Sequence, residues 1–153
     1  MKKLIILVAT FIFLPGAVFA SACDGKNVKL LNRTPINLEV NSVLTYKSSV
    51  IAPIEIGTRI SQGSELLAIV NSGKGSFGHA KGDIELFSSD YPGKIIKLHY
   101  EYIRIWPFWC ITKDPRIDNS PLPFSVVARK DGSTSLFEIS GATPGDPESV
   151  IHD

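Results

Sequence analysis

GKGSFGHAKGDIELFSSDYPGKIIKLHYEYIRIWPFWC, residues 73–110, is the stretch that decides the fold. Residues 83–87 (DIELF) have strand composition, 88–93 (SSDYPG) are turn formers, and 94–105 alternate between two faces. Ile96, Leu98, Tyr100 and Tyr102 fall on one face; Ile95, Lys97, His99, Glu101, Ile103 and Ile105 fall on the other. Period-two alternation of β-branched and aromatic residues, bounded by Pro and Gly, predicts a β-hairpin. Its long strand runs into Trp106-Pro107-Phe108-Trp109-Cys110, the densest aromatic cluster of the chain. The hairpin therefore delivers an aromatic loop.

Working outward, strands continue on both sides. Upstream, residues 28–31 form a short apolar strand, and Asn32-Arg33-Thr34-Pro35 is a turn. Ile36, Leu38 and Val40 alternate with Asn37, Glu39 and Asn41, as in a half-buried strand. Residues 50–56 (VIAPIEI) carry Pro53, which belongs at a sheet edge or a bend because it cannot donate to a ladder. Residues 65–70 (ELLAIV) read as a buried strand, with a helix as the alternative. Downstream, residues 112–123 (TKDPRIDNSPLP) read as a long polar loop. Residues 124–129 alternate, Asp131-Gly132 is a hairpin turn, and 135–140 (SLFEIS) supply the return strand. Regularly spaced strands without an amphipathic helix predict an all-β single domain, an antiparallel β-sandwich or small barrel.

The ends bear on location. Met1-Lys2-Lys3 is a positive n-region and residues 4–14 (LIILVATFIFL) an apolar h-region. Pro15-Gly16 breaks it, and Val18-Phe19-Ala20 closes on a small residue. That is a secretory leader over residues 1–20, too short and interrupted to span a membrane. The domain then covers 21–140, and 141–153 read as a disordered tail. The chain holds 16 basic and 15 acidic residues. Loss of Lys2 and Lys3 with the leader moves the net charge from +1 to −1, which argues against nucleic acid as a partner.

Two cysteines are present, Cys23 and Cys110. Two cysteines in an exported chain predict a Cys23–Cys110 disulfide. Ala20-Ser21-Ala22-Cys23 also resembles a lipobox, so a lipoprotein anchored through Cys23 is the competing reading.

No catalytic constellation stands out, and the chain reads as a non-enzyme. Gly73-Lys74-Gly75-Ser76-Phe77-Gly78 matches G-x-G-x-x-G, but a strand follows it where a dinucleotide site needs a helix. His79, His99 and His152 have no metal-ligand spacing and the cysteines form no C-x-x-C, so neither metal nor cofactor is expected. His99, between Lys97 and Glu101, reads as a solvated residue, and Asp83 and Glu85 as solvated acids on an outer face. The G-x-S-x-G elbow is absent.

The aromatic stretch carries more. Some of Tyr100, Tyr102, Trp106, Phe108 and Trp109 must build the core of a small sandwich. Yet a turn containing Pro107 cannot bury Trp106, Phe108 and Trp109 together. Exposed Trp and Tyr at a loop mark interfaces where an apolar body meets a wet rim. These five are the candidate binding residues.

Asn32-Arg33-Thr34, Gly78, Gly82-Asp83-Ile84-Glu85-Leu86-Phe87, Tyr100, Tyr102, Trp106, Pro107, Trp109 and Cys110 form a layout that resembles the aegerolysins. More distantly it resembles the actinoporin-like lipid-binding sandwiches. The resemblance implies a β-sandwich that binds membrane lipid, sometimes beside a partner protein that makes the pore. Near-neutral charge, the leader and the 112–123 proline loop depart from the pattern. The expectation is a secreted or periplasmic binding protein for a membrane lipid; the rival is a periplasmic protein-binding factor such as an inhibitor, immunity protein or assembly component.

Overall fold

The computed structural model describes residues 23–46, 49–73, 78–106 and 109–141, without the Trp106 side chain. The leader, the chain after Gly141, and Pro107-Phe108 lie outside the described residues. The strands are β1 (Lys26–Asn32), β2 (Leu38–Thr45), β3 (Val50–Ala52), β4 (Arg59–Ile60), β5 (Glu65–Asn71), β6 (Ala80–Phe87), β7 (Ile96–Trp106), β8 (Trp109–Thr112), β9 (Arg116–Asn119), β10 (Phe124–Asp131) and β11 (Thr134–Gly141).

They build two sheets, ordered β10-β11-β1-β5-β3 and β4-β2-β6-β7-β8, with β9 also paired to β7. Every pairing is antiparallel except β1 with β11, which run parallel from Asn27↔Thr134 to Asn32↔Ile139. The sandwich expected from alternation is the architecture found. Ile84, Leu86, Ile96, Leu98, Tyr100 and Tyr102 of one sheet share the core with Val28, Leu30, Ala68, Val70, Phe137 and Ile139 of the other. This is the interdigitated inner layer of two packed sheets.

The β6–β7 hairpin has Leu86 opposite Ile96, Ile84 opposite Leu98 and Gly82 opposite Tyr100. Gly82 sits inside the strand, earlier than the expected strand start at residue 83, because its partner needs the room. A Cβ there would lie 2.5 Å from the Tyr100 hydroxyl and 2.5 Å from the Leu44 carbonyl oxygen. The β10–β11 hairpin turns through Gly132-Ser133, with Gly132 at φ 58°. That left-handed start suits the primed turns of two-residue hairpins.

Asn32 closes the end of β1. It is fully buried, and its amide donates to the carbonyls of Ile36 (2.8 Å), Ile60 (2.9 Å) and Ser61 (3.2 Å). Its Oδ1 accepts from the Thr34 backbone N–H (3.0 Å) and hydroxyl (2.6 Å). One side chain thus satisfies a turn that would otherwise bury unpaired backbone.

Three expectations need correction. Residues 65–70 are a strand covered on one face only: Ala68 and Val70 enter the core, whereas Leu67 and Ile69 are exposed. Residues 112–123 are not all loop, because β9 pairs with β7 through Leu98↔Ile117 and His99↔Arg116. β2 begins at Leu38, later than expected, and Ile36 is buried in the turn before it. Pro53 lies where expected, at the bend that ends the edge strand β3.

Cys23 and Cys110 are joined, 87 positions apart and with Cα atoms 5.1 Å apart. Cys23 is buried just before β1 and Cys110 lies on β8, so the bond ties one sheet to the other. A sulfur held by Cys110 cannot carry a lipid, so the disulfide favours the bridged reading of Cys23 over the lipidated one. A disulfide is compatible with an oxidising, exported location.

Candidate functional site

β7 is long enough to leave the sandwich. Tyr102 pairs with Thr112, and these are the last buried residues of the β7–β8 ladder, with Cys110 beyond them only partly buried against the core. Past them come Ile103↔Ile111, Arg104↔Cys110 and Trp106↔Trp109, with an irregularity between Arg104 and Trp106. The extra residue at Ile105 breaks strict alternation, as a bulge does. The outcome is an arm bearing Ile105 (55% exposed), Trp109 (77% exposed) and Ile111 (43% exposed). The disulfide at Cys110 fastens the arm to the start of β1, and the Arg104 backbone N–H donates to His79 Nδ1 (3.3 Å).

The five aromatic candidates therefore separate. Trp109 is in solvent. Tyr100 and Tyr102 are fully buried and cannot touch a partner, because they share the inward face with Ile96 and Leu98. The Tyr102 hydroxyl donates to the Asn27 carbonyl and accepts from the Ser135 N–H (3.3 Å). The Tyr100 hydroxyl has no partner among the described residues. Burial pushes both phenols above their ordinary range. Phe108 and the Trp106 side chain lie outside the described residues. Ile105 and Ile111 complete the arm, and the aromatic count passed over them. Alternation carried beyond Tyr102 on both strands is the signal that finds them.

The outer face of the β6–β7 pair is polar and ordered rather than merely solvated. Glu85 faces Lys97 across the ladder with Oε1 2.7 Å from Nζ, and accepts from Asn41. The Lys97 hydrogen bond holds Glu85 below, and Glu85 holds Lys97 above, their ordinary ranges. Asp83 faces His99, with Oδ1 2.5 Å from Nδ1, and its Oδ2 accepts from the Tyr46 hydroxyl (2.8 Å). That hydrogen bond, with the Asp83 charge behind it, raises the Tyr46 phenol. His99 is only 8% exposed, so its reading as a solvated residue is corrected: β9 covers it from the side. Asp118 of β9 reaches the same spot, and one ligand atom each from Asp83, His99 and Asp118 lies within 4.8 Å of the others.

No protein-family model matches this chain, and no curated protein matches it in sequence. Among solved structures, IP-1A from Alcaligenes faecalis is similar at a TM-score of 0.55 and 12% identity, over 81% of this chain and 95% of that one. The lipid binding protein Nakanori aligns at a TM-score of 0.40 and 12% identity, over 76% of this chain and 70% of that one. What this chain shares with IP-1A is the all-β fold.

Proposed function

We propose that this chain is an exported, non-enzymatic binding protein that recognises a membrane lipid surface through the β7–β8 arm. The observation that carries the reading is Trp109 in solvent beside Ile105 and Ile111, on an arm held by a disulfide. An indole at such a tip enters the interfacial zone of a bilayer with its N–H still hydrogen-bonded. Three apolar side chains supply roughly 5–9 kcal/mol of burial. Association costs of at least about 4 kcal/mol leave about 1–5 kcal/mol, so one copy binds with a Kd of about 0.2 mM at the strongest. The resemblance of residues 82–87 and of the aromatic strand to the aegerolysins supports lipid over other partners, including a role beside a pore-forming protein.

Liposome sedimentation across lipid compositions tests this. Trp109→Ser with Ile111→Ser abolishes co-sedimentation and leaves the thermal midpoint within a few degrees. The rival reading, a protein partner, draws on Leu67, Ile69 and Val127, exposed on the outer face of the other sheet. A wild-type protein that ignores every liposome composition would favour it.

A further inference from the structure

We propose that Asp83, His99 and Asp118 form a binding site for a divalent first-row transition-metal ion of the zinc type. The three come from adjacent strands, β6, β7 and β9, onto one face of one sheet. Their ligand atoms lie within 4.8 Å of one another. The backbone aims the third of them. Leu98 pairs with Ile117 and Lys97 with Asn119, so Asp118 is the extra residue of a bulge. A bulge of this kind sets both of its residues on the side of the single residue opposite, re-aiming a side chain that the regular ladder would place otherwise. The ligand-atom distances show that Asp118 joins Asp83 and His99 on the outer face.

The surroundings are those of a ligand set. Tyr46 donates to Asp83 Oδ2 and leaves Oδ1 facing His99 (2.5 Å), which is how an outer hydrogen bond orients a ligating carboxylate. Among the described residues no lysine or arginine forms an ion pair with Asp83 or Asp118; Lys97 is engaged by Glu85. Lys97 and Arg116 flank the cluster, and Lys97 feels the charge of both Asp83 and Asp118, but neither forms an ion pair with those two carboxylates. One imidazole with two carboxylates suits zinc, cobalt or manganese, whereas magnesium and calcium prefer oxygen alone. Ligands of a tetrahedral zinc sit about 3.3 Å apart, so Asp83 Oδ1 and His99 Nδ1 part by under an ångström to admit the ion. Metal binding at Nδ1 takes the neutral tautomer whose single proton is on Nε2, so a proton between Nδ1 and Oδ1 passes to Nε2 through solvent. Three protein ligands leave a position open to solvent. The site lies six residues before Ile105 on β7, about 20 Å along the strand, and is separate from the arm.

The test uses the full mature chain without an affinity tag, titrated with Co²⁺ and with Zn²⁺. Expected is one equivalent of Co²⁺ with visible d–d absorption, displaced by Zn²⁺ and not by excess Mg²⁺ or Ca²⁺, with a rise in thermal midpoint. Asp118→Asn, on an exposed strand, and Tyr46→Phe each weaken binding about tenfold or more. His99→Gln abolishes it; should that variant fold poorly, Asp118→Asn carries the test. No saturable binding at micromolar Co²⁺ or Zn²⁺ would overturn the proposal. So would binding that Asp118→Asn leaves unchanged, which would place the ion at His79 or His152.

Discussion

Tyr100 and Gly82 face each other across β7 and β6, and the phenol occupies the space that any side chain at position 82 would need. Overpacking a core of this kind costs typically about 1–3 kcal/mol. Gly82→Ala is expected to lower the urea midpoint accordingly. Adding Tyr100→Phe recovers part of the loss by removing the hydroxyl, while the Leu44 carbonyl still opposes the methyl group. An unchanged midpoint for Gly82→Ala would mean that β6 yields freely and the pair is not tightly fitted.

The two buried tyrosines should respond oppositely to loss of their hydroxyls. Tyr102→Phe strands the Asn27 carbonyl and the Ser135 N–H, at about 1–3 kcal/mol. Tyr100→Phe removes a buried hydroxyl that has no partner among the described residues, and should be neutral or slightly stabilising. The same burial sets an alkaline limit. Both folded-state phenols are raised above the ordinary value of 10.0, so the contribution is whole below that pH and is lost as pH rises through the folded values. Ultraviolet titration should show Tyr100 and Tyr102 resisting ionisation until the protein unfolds. Smooth titration of every tyrosine near its ordinary value, with the fold intact, would contradict the burial.

Removing the disulfide by Cys110→Ala should cost roughly 4–5 kcal/mol in the chain-entropy picture of an 87-position closure. The loss appears as a lower denaturant midpoint and a more mobile arm. Mass spectrometry of the wild type should find two hydrogens fewer than the dithiol. A free Cys110 thiol would contradict the bond.

Legibility in the sequence followed range. Alternation over Ile96, Leu98, Tyr100 and Tyr102 named a buried face correctly, because burial on a strand is a local, period-two property. It also showed that Tyr100 and Tyr102 could not serve an exposed surface, although their aromatic character had drawn them into it. His99 was misread because its neighbours along the strand are charged, while its burial comes from β9, across a register that composition does not encode. β9 itself was hidden: Arg116–Asn119 is exposed throughout, and Pro115 and Pro121 mark its flanks as loop. The parallel pairing of β1 with β11 left no trace, since partners about a hundred residues apart share no local pattern.

That parallel pairing also gives the molecule a polarity. β1 and β11 start at one end, the end where Cys23 is fastened to the arm, and both finish at the other, where Gly141 lies beyond Asn32. The arm and the point at which the chain leaves β11 are therefore separated by about the length of β1, on the order of 20 Å. A molecule lying arm-down on a surface presents its carboxyl-terminal side to solution. A fluorophore or fusion joined after Gly141 would therefore report docking without obstructing it, whereas cargo placed ahead of Cys23 would sit at the contact itself.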